Sequence, residues 1–271
     1  MLLGGFDGLH IGHRALLSHA KKSGLPVGAM TIVGGKTQGC LFDFSEREEI
    51  FRSLGLDFVF ELPFQEIKNL SPKEFLALLE KEFSPKQFVC GEDFRFGAGA
   101  VGTPGNMKEW TQVRVESLPL VEFDGRKVSA SLIKEYLSAG EIEKANALLG
   151  SPFFLRGEVI KDRGVGKTLG FPTANIVYPK HKHAVRFGVY ETVCVVDGKP
   201  YKGVTNYGAR PTFDNERVLT ETYLDGFDGD LYGKTLRVQF LRFLREVQKF
   251  ESVDALKAQL REDVRRIRED D

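Results

Sequence analysis

The spacing of apolar residues changes once along this chain, near residue 150, and that change limits the fold more than any single motif. Before it, short apolar runs alternate with amphipathic stretches. Met1–Gly4 forms a strand, a glycine-rich turn follows, and a helix runs from about His13 to Lys22 until Gly24 stops it. "VGAMTIV", "DFVFEL" and "QFVCG" are further strands, and "VRVESLPLVEF" continues the sheet. "FSEREEIFRSLG" is a helix with Ser45 as N-cap and Glu48 three residues on, a capping box. "SPKEFLALLEKEF" is another, with Ser71 as cap and Pro72 in its first turn. Strands alternating with helices predict a doubly wound parallel α/β domain over residues 1–150.

"SASLIKEYLSAGEIEKANALLG" then gives two short helices stopped by Gly140 and Gly150. Beyond them come "FFLRGEVI", "VYETVCVV", "YKGVTNY", "LTETYL" and "LRVQFLRFL", separated by "DGK", "DNE" and "DGFDGD". Many short strands with turn signals predict an all-β second domain over 151–271, a Greek-key-like β-barrel. One helix closes it, with Ser252 as N-cap and Val253, Leu256 and Leu260 on its apolar face.

With 271 residues, 42% of them apolar, the chain can bury two cores. Its 38 basic and 38 acidic side chains cancel, which argues against a general nucleic-acid or membrane-surface binder and leaves room for a local basic pocket. No apolar run reaches the ~18 residues of a membrane helix, and no secretory signal is evident. Cys40, Cys90 and Cys194 are scattered and lack CxxC spacing, which fits reduced thiols. The expectation is a cytoplasmic protein, a monomer or weak homo-oligomer.

"GGFDGLHIGH" (Gly4 to His13) carries the first chemistry. Its glycines allow close backbone approach. His10 and His13 sit over the start of a helix, whose free N–H groups and dipole favour an anion such as a polyphosphate. A zinc site would need a third ligand, and none is nearby. The bland alternative is a tight turn with surface histidines. "GKT" at 166–168 is not a P-loop, because Lys161 stands where the first glycine is required, and Met30 fails "GGKT" in the same way. Gly164, Gly166 and Gly170, with Lys167, remain a candidate phosphate flap. His181 and His183 in "PKHKH" are taken as surface residues.

Three segments occur in order in the first half: "GGFDGLHIGH", "CGEDFRFG" and "VSASLIK". The second half adds "GFPTAN", "GVY", "GVTNYGARPTF", "ETYLDGFDGDLYG" and "FLRFLREVQKF". Together they resemble the bacterial bifunctional riboflavin kinase/FMN adenylyltransferase (FAD synthetase) family, from residue 1 to about 265. The resemblance implies an adenylyltransferase-like first domain. There His10 and His13, with Gly5, Phe6, Asp7 and Gly8, meet the ATP phosphates, and Ser131 and Lys134 close from the opposite side. Asp93 and Phe94 would line a nucleotide or flavin pocket, although Phe94 and Phe96 suit a core equally well, and Ser129 suits a plain N-cap.

For the second domain the resemblance implies a riboflavin kinase. Thr173 and Asn175 would ligate Mg²⁺, Glu221 would be the base, and Asn206 and Arg210 would line the flavin pocket. Substrates and products would be ATP, riboflavin, FMN and FAD. Isolated "PTAN" also fits a proline turn bonding its own backbone. The chain departs from the family's usual pattern at Lys134 (Arg), at Ala130 (Ser), at "TIVGGKTQG" and at Asp225–Phe227. Two alternatives use the same residues: a riboflavin kinase with an inactive first domain, or a non-catalytic flavin- or nucleotide-binding module.

Overall fold

The computed structural model describes all residues except 35–38, 163–165, 167, 168, 211–216, 270 and 271, and it leaves the side chain of Arg210 undescribed. Gly164, Lys167 and the Arg210 side chain therefore lie outside the described residues. Contacts divide the chain into two units: 1–132 with His181–His183, and 133–180 with 184–271.

In the first unit β1 (Leu2–Leu3), β2 (Gly28–Val33), β3 (Phe58–Pro63), β4 (Gln87–Gly91) and β5 (Arg114–Leu118) form one sheet in the order β3-β2-β1-β4-β5. Every pairing is parallel. Helices α1 (Ile11–Lys21), α2 (Phe44–Ser53), α3 (Phe64–Ile67), α4 (Pro72–Phe83) and α5 (Pro104–Met107) make the connections. Strand order reverses at β1, whose neighbours are β2 and β4. Ligands of open α/β sheets bind at such a switch point, beyond the carboxyl ends of the strands. The glycine-rich turn leaves β1 there. Leu3, Met30, Leu76, Leu79, Phe88 and Met107 fill the core beneath it.

Helix α4 begins as its sequence predicts: Ser71 and Glu74 form a capping box and Pro72 is the first helical residue. Helix α2 corrects the Ser45 expectation. Its N-cap is Asp43, whose carboxylate accepts from Glu46 N–H at 2.9 Å, while Asp43 N–H donates to Glu46 at 2.9 Å. Asp43/Glu46 and Ser45/Glu48 have the same spacing. The earlier pair wins because it closes both bonds, and Ser45 Oγ merely donates to Asp43. The expected fifth strand is also shorter. Pro119 offers no N–H to extend β5, and β6 (Glu122–Phe123) instead pairs with β7 (Arg126–Lys127) in a hairpin. Helix α6 (Ala130–Ala139) follows, with Ser129 Oγ accepting from Leu132 N–H at 3.2 Å, and then α7 (Ile142–Leu149). Gly140 and Gly150, both at positive φ, stop them.

The second unit is an antiparallel sheet of β8 (Phe153–Glu158), β9 (Thr173–Val177), β10 (Gly188–Val196), β11 (Lys199–Arg210), β12 (Arg217–Leu224) and β13 (Thr235–Arg245), ordered β8-β13-β10-β11-β12-β9. The sheet curls until its edges meet, where Ile160 N–H donates to Asn175 O at 2.8 Å. Gly157 permits that approach, since a Cβ there would lie 2.4 Å from Ile176 Cγ2. Thr192, Thr205 and Thr222 link their hydroxyls at 2.8 and 2.9 Å on the buried face, so none is left unsatisfied by desolvation.

Strand β9 (Thr173–Val177) sets aside the turn that isolated "PTAN" also fits. Ala174 and Ile176 face inward while Thr173 and Asn175 point the other way, the alternation of a strand. In α8 (Val253–Glu269) Ser252 Oγ accepts from Ala255 N–H. Val253, expected on the packed face, is 57% exposed, and burial comes later, at Asp263, Val264 and Ile267. Val264 and Ile267 pack on Val189 and Val204.

Candidate functional sites

The turn from β1 to α1 is tightly wound. Phe6 and Leu9 take φ of +47°, in the sparsely populated left-handed region. Asp7 Oδ1 accepts from Leu41 N–H at 2.8 Å, which ties the turn to the segment after β2. Helix α1 starts at Ile11 with His10 as its N-cap, so His13 is its third residue rather than its first. Among the described residues no side chain caps it, and its first turn holds no acidic residue. Its leading N–H groups are thus open to an anion.

Three-residue spacing brings the two imidazoles together. Their ring centroids lie 3.7 Å apart and 17° from parallel, with Phe6 packed 4.8 Å from His13. Both Nδ1 atoms are buried and, among the described residues, have no hydrogen-bond partner. Burial, helped by the charge of Lys127, pushes His10 down to about 4. Burial and His10 hold His13 well below 6.5. Both rings are therefore neutral near pH 7. Both residues border the space in front of them.

That space is a cavity of about 650 Å³, a size that suits a nucleotide. Gly5, Phe6, Asp7, His10, His13, Asp93 and Phe94 line it, so "GGFDGLHIGH" and "CGEDFRFG" meet there. Phe94 packs 5.5 Å from Phe96, which is core, so the pair splits between the two roles. Gly8 is buried under the turn, and neither it nor Ser131 nor Lys134 is part of the cavity wall.

Three basic residues not singled out from the sequence line the same cavity: Arg47, Arg95 and Lys127. Lys127 pairs with Asp93. Arg47 on α2 donates to Thr31 Oγ1 at 2.8 Å, and its Nε is buried with no partner among the described residues. In the sequence Arg47 sits within "EREE" and Lys127 follows "DGR", runs that look like ordinary solvated charge. Their one clue is that each follows a strand of the parallel sheet, Arg47 in the helix after β2 and Lys127 in the hairpin after β5.

The second unit gathers Thr173, Asn175, Asn206 and Glu221 on one face. Glu221 on β12 stands directly opposite Asn175 on β9 and Asn206 on β11. Directly opposed residues point to the same side of a sheet, about 5 Å apart, so Asn175, Glu221 and Asn206 form a cross-strand row. Thr173 shares that face, opposite Tyr223. Asn175 is 6% exposed; its Nδ2 donates to Thr173 O at 3.4 Å, and its Oδ1 is buried with no partner among the described residues. A buried amide oxygen left open this way is costly. With the Thr173 hydroxyl it makes a hard-oxygen pair of the kind Mg²⁺ accepts. Gly166 lies over it, since a Cβ there would be 2.4 Å from Phe171 O and 3.2 Å from Thr173 Oγ1. Gly170 turns at φ +84°.

Residues 1–132 match the FAD synthetase family model and residues 149–270 the riboflavin kinase family model. The bifunctional riboflavin kinase/FMN adenylyltransferase of Pseudomonas fluorescens is 32% identical over 97% of this chain and 89% of its own length. The chain belongs to the bifunctional riboflavin kinase/FMN adenylyltransferase family. The Escherichia coli K12 member is 32% identical over 97% of this chain and 90% of its own, and the Bacillus subtilis member 30% over 97% and 89%. The crystal structure of a macrolide-efflux protein from Streptococcus pneumoniae is 30% identical, with a TM-score of 0.90 covering 98% of this chain and 93% of that one. Among the described residues no helix is long and apolar enough to cross a membrane. Residues 133–148, the rest of α6 and most of α7, fall outside both family models of the riboflavin kinase/FMN adenylyltransferase chain.

Proposed function

We propose that the second unit phosphorylates riboflavin to FMN and the first adenylylates FMN to FAD, with the functional boundary near residue 150 (1–150 and 151–271). The observation that carries this reading is the Asn175–Glu221–Asn206 row, with its unpartnered amide oxygen next to a carboxylate.

In the kinase reaction the ribityl 5′-hydroxyl attacks the γ-phosphorus of ATP. A new O–P bond forms, the bond to the β-phosphate oxygen breaks, and ADP leaves. Glu221 takes the hydroxyl proton. Thr173 Oγ1 and Asn175 Oδ1 would hold Mg²⁺, which when bound neutralises phosphate charge. Gly166 and Gly170 let backbone come close to the phosphates, and Asn206 and Arg210 would line the flavin side.

In the adenylyl transfer a phosphate oxygen of FMN attacks the α-phosphorus of ATP and pyrophosphate leaves. No protein nucleophile is needed. His10, His13 and the open first turn of α1 donate hydrogen bonds to the phosphates, and Lys127 and Arg47 add positive charge where it develops. Asp93 and Phe94 would bound the flavin or adenine. Gly8 shapes the turn, and the family resemblance assigns Ser131 and Lys134 to the far side of the phosphates. Even charge and modest hydropathy support a cytoplasmic protein acting on small molecules, without nucleic-acid or membrane partners, as a monomer or weak homo-oligomer.

The test is to incubate purified protein with riboflavin, ATP and Mg²⁺ and to separate the flavins by chromatography. FMN should appear first and FAD follow. FMN that never proceeds to FAD would leave a kinase alone, and no product would overturn both assignments.

A further inference from the structure

Three residues of the riboflavin kinase-matched stretch, His181–His183, belong by their contacts to the first unit. They run beside Cys40 as a short parallel bridge. Cys40 N–H donates to His181 O at 3.0 Å, and His183 N–H donates to Cys40 O at 2.7 Å. His181 is exposed, as expected, and His183 half-buried, but Lys182 turns inward between them. Its side chain is 1% exposed and ends 2.6 Å from Glu46 Oε2.

The surroundings give that pair a purpose. Glu46 Oε2 also accepts Asp43 N–H at 2.9 Å, so the Lys182 ammonium completes the cap of α2. Lys182 Nζ lies 4.9 Å from the centre of the Phe42 ring. Cys40, Phe42 and Arg47 all line the 650 Å³ cavity, and Leu41 between the first two is held by Asp7 of the glycine-rich turn. The wall from Cys40 to Phe42 is thus clamped on one side by Asp7 and on the other by 181–183. Two charges drawn out of water persist only where the geometry is well held on both sides. An exposed lysine would have served a mere loop.

We infer that Lys182 is a positioning residue for adenylyl transfer, holding the Cys40–Phe42 wall and the start of α2 around the first unit's cavity. The inference rests on reading that cavity as the adenylyl-transfer site. It makes FAD synthesis depend on a side chain encoded within the kinase-matched sequence. Lys182 itself touches no substrate.

The experiment uses full-length Lys182→Met, which keeps most of the side chain's length and removes its charge. Adenylylation is assayed with supplied FMN and ATP, and kinase activity with riboflavin and ATP. KM for FMN or ATP in adenylylation should rise roughly tenfold, with a smaller change in kcat, because the wall positions ligand rather than taking part in the chemistry. Kinase constants should stay within about twofold. A thiol reagent supplies a local readout. Cys40 is half-buried with its Sγ on His181 O at 3.2 Å, whereas Cys90 and Cys194 are both 0% exposed. Faster labelling of Cys40 alone is expected. Unchanged adenylylation constants would overturn the inference, as would a loss in which all three cysteines become reactive and kinase activity falls in step. If wild-type protein made no FAD, the reading of the cavity would fail instead, and Cys40 labelling would still show whether Lys182 holds the wall.

Discussion

Lowering the pH from 8 to 5 should weaken the first unit through His10. Burial favours the neutral ring, so the folded chain protonates it at about 4 while an unfolded chain does so near 6.5. Below 6.5 the unfolded state holds the extra proton, and stability falls as the pH falls. Near 4 the folded state takes the proton too, and the loss stops growing. At pH 5 the unfolded histidine is almost fully protonated and the folded one only about a tenth so, a difference worth about 2 kcal/mol. His13 shifts in the same direction. Trp110, the single tryptophan, lies in this unit against Phe96, so its fluorescence follows urea unfolding there. Wild type and His10→Asn should be compared at both pH values, which cancels the carboxylates common to both. Wild type should lose about 2 kcal/mol more than the variant. Equal losses would refute a buried, neutral His10.

Three further outcomes test the second unit. Gly157→Ala would set a Cβ 2.4 Å from Ile176 where the sheet closes, and should cost about 1–3 kcal/mol in thermal unfolding followed by circular dichroism. Asp263 is 0% exposed and holds Arg245 through two oxygens, at 2.9 Å to Nε and 2.7 Å to Nη2. Asp263→Ala should therefore lower stability by about 3–5 kcal/mol and shorten kinase survival on warming. Asn175→Leu should raise the Mg²⁺ concentration needed for half-maximal FMN formation, while leaving adenylylation of supplied FMN unchanged.

What could be read from the sequence depended on how local each signal was. Ser71, Pro72 and Glu74 fix the start of α4 within four residues, and β4 is a self-contained apolar run. The start of α2 was ambiguous because two overlapping cap pairs had the same spacing, and only the fold chooses between them. Strand β9 was hidden because Pro172 signals a turn and five residues are too few to establish alternation. The stacking of His10 on His13 follows from their spacing, but their depressed basicity does not, since it comes from burial. Lys127 and Arg47 look like solvated charge until the strands bring them to one cavity. Lys182 was least legible of all: its partner Glu46 lies 136 positions away, and the histidines on either side suggest a wet loop.

The central claim is that two separate sites carry two successive reactions. Its most direct test is to assay the half-reactions separately in two variants, Glu221→Ala and the joint His10→Ala/His13→Ala. Glu221→Ala should abolish FMN formation from riboflavin and still convert supplied FMN to FAD. The histidine variant should form FMN and stop there. Undiminished riboflavin phosphorylation in Glu221→Ala, or loss of both reactions together in either variant at full folded yield, would contradict the account.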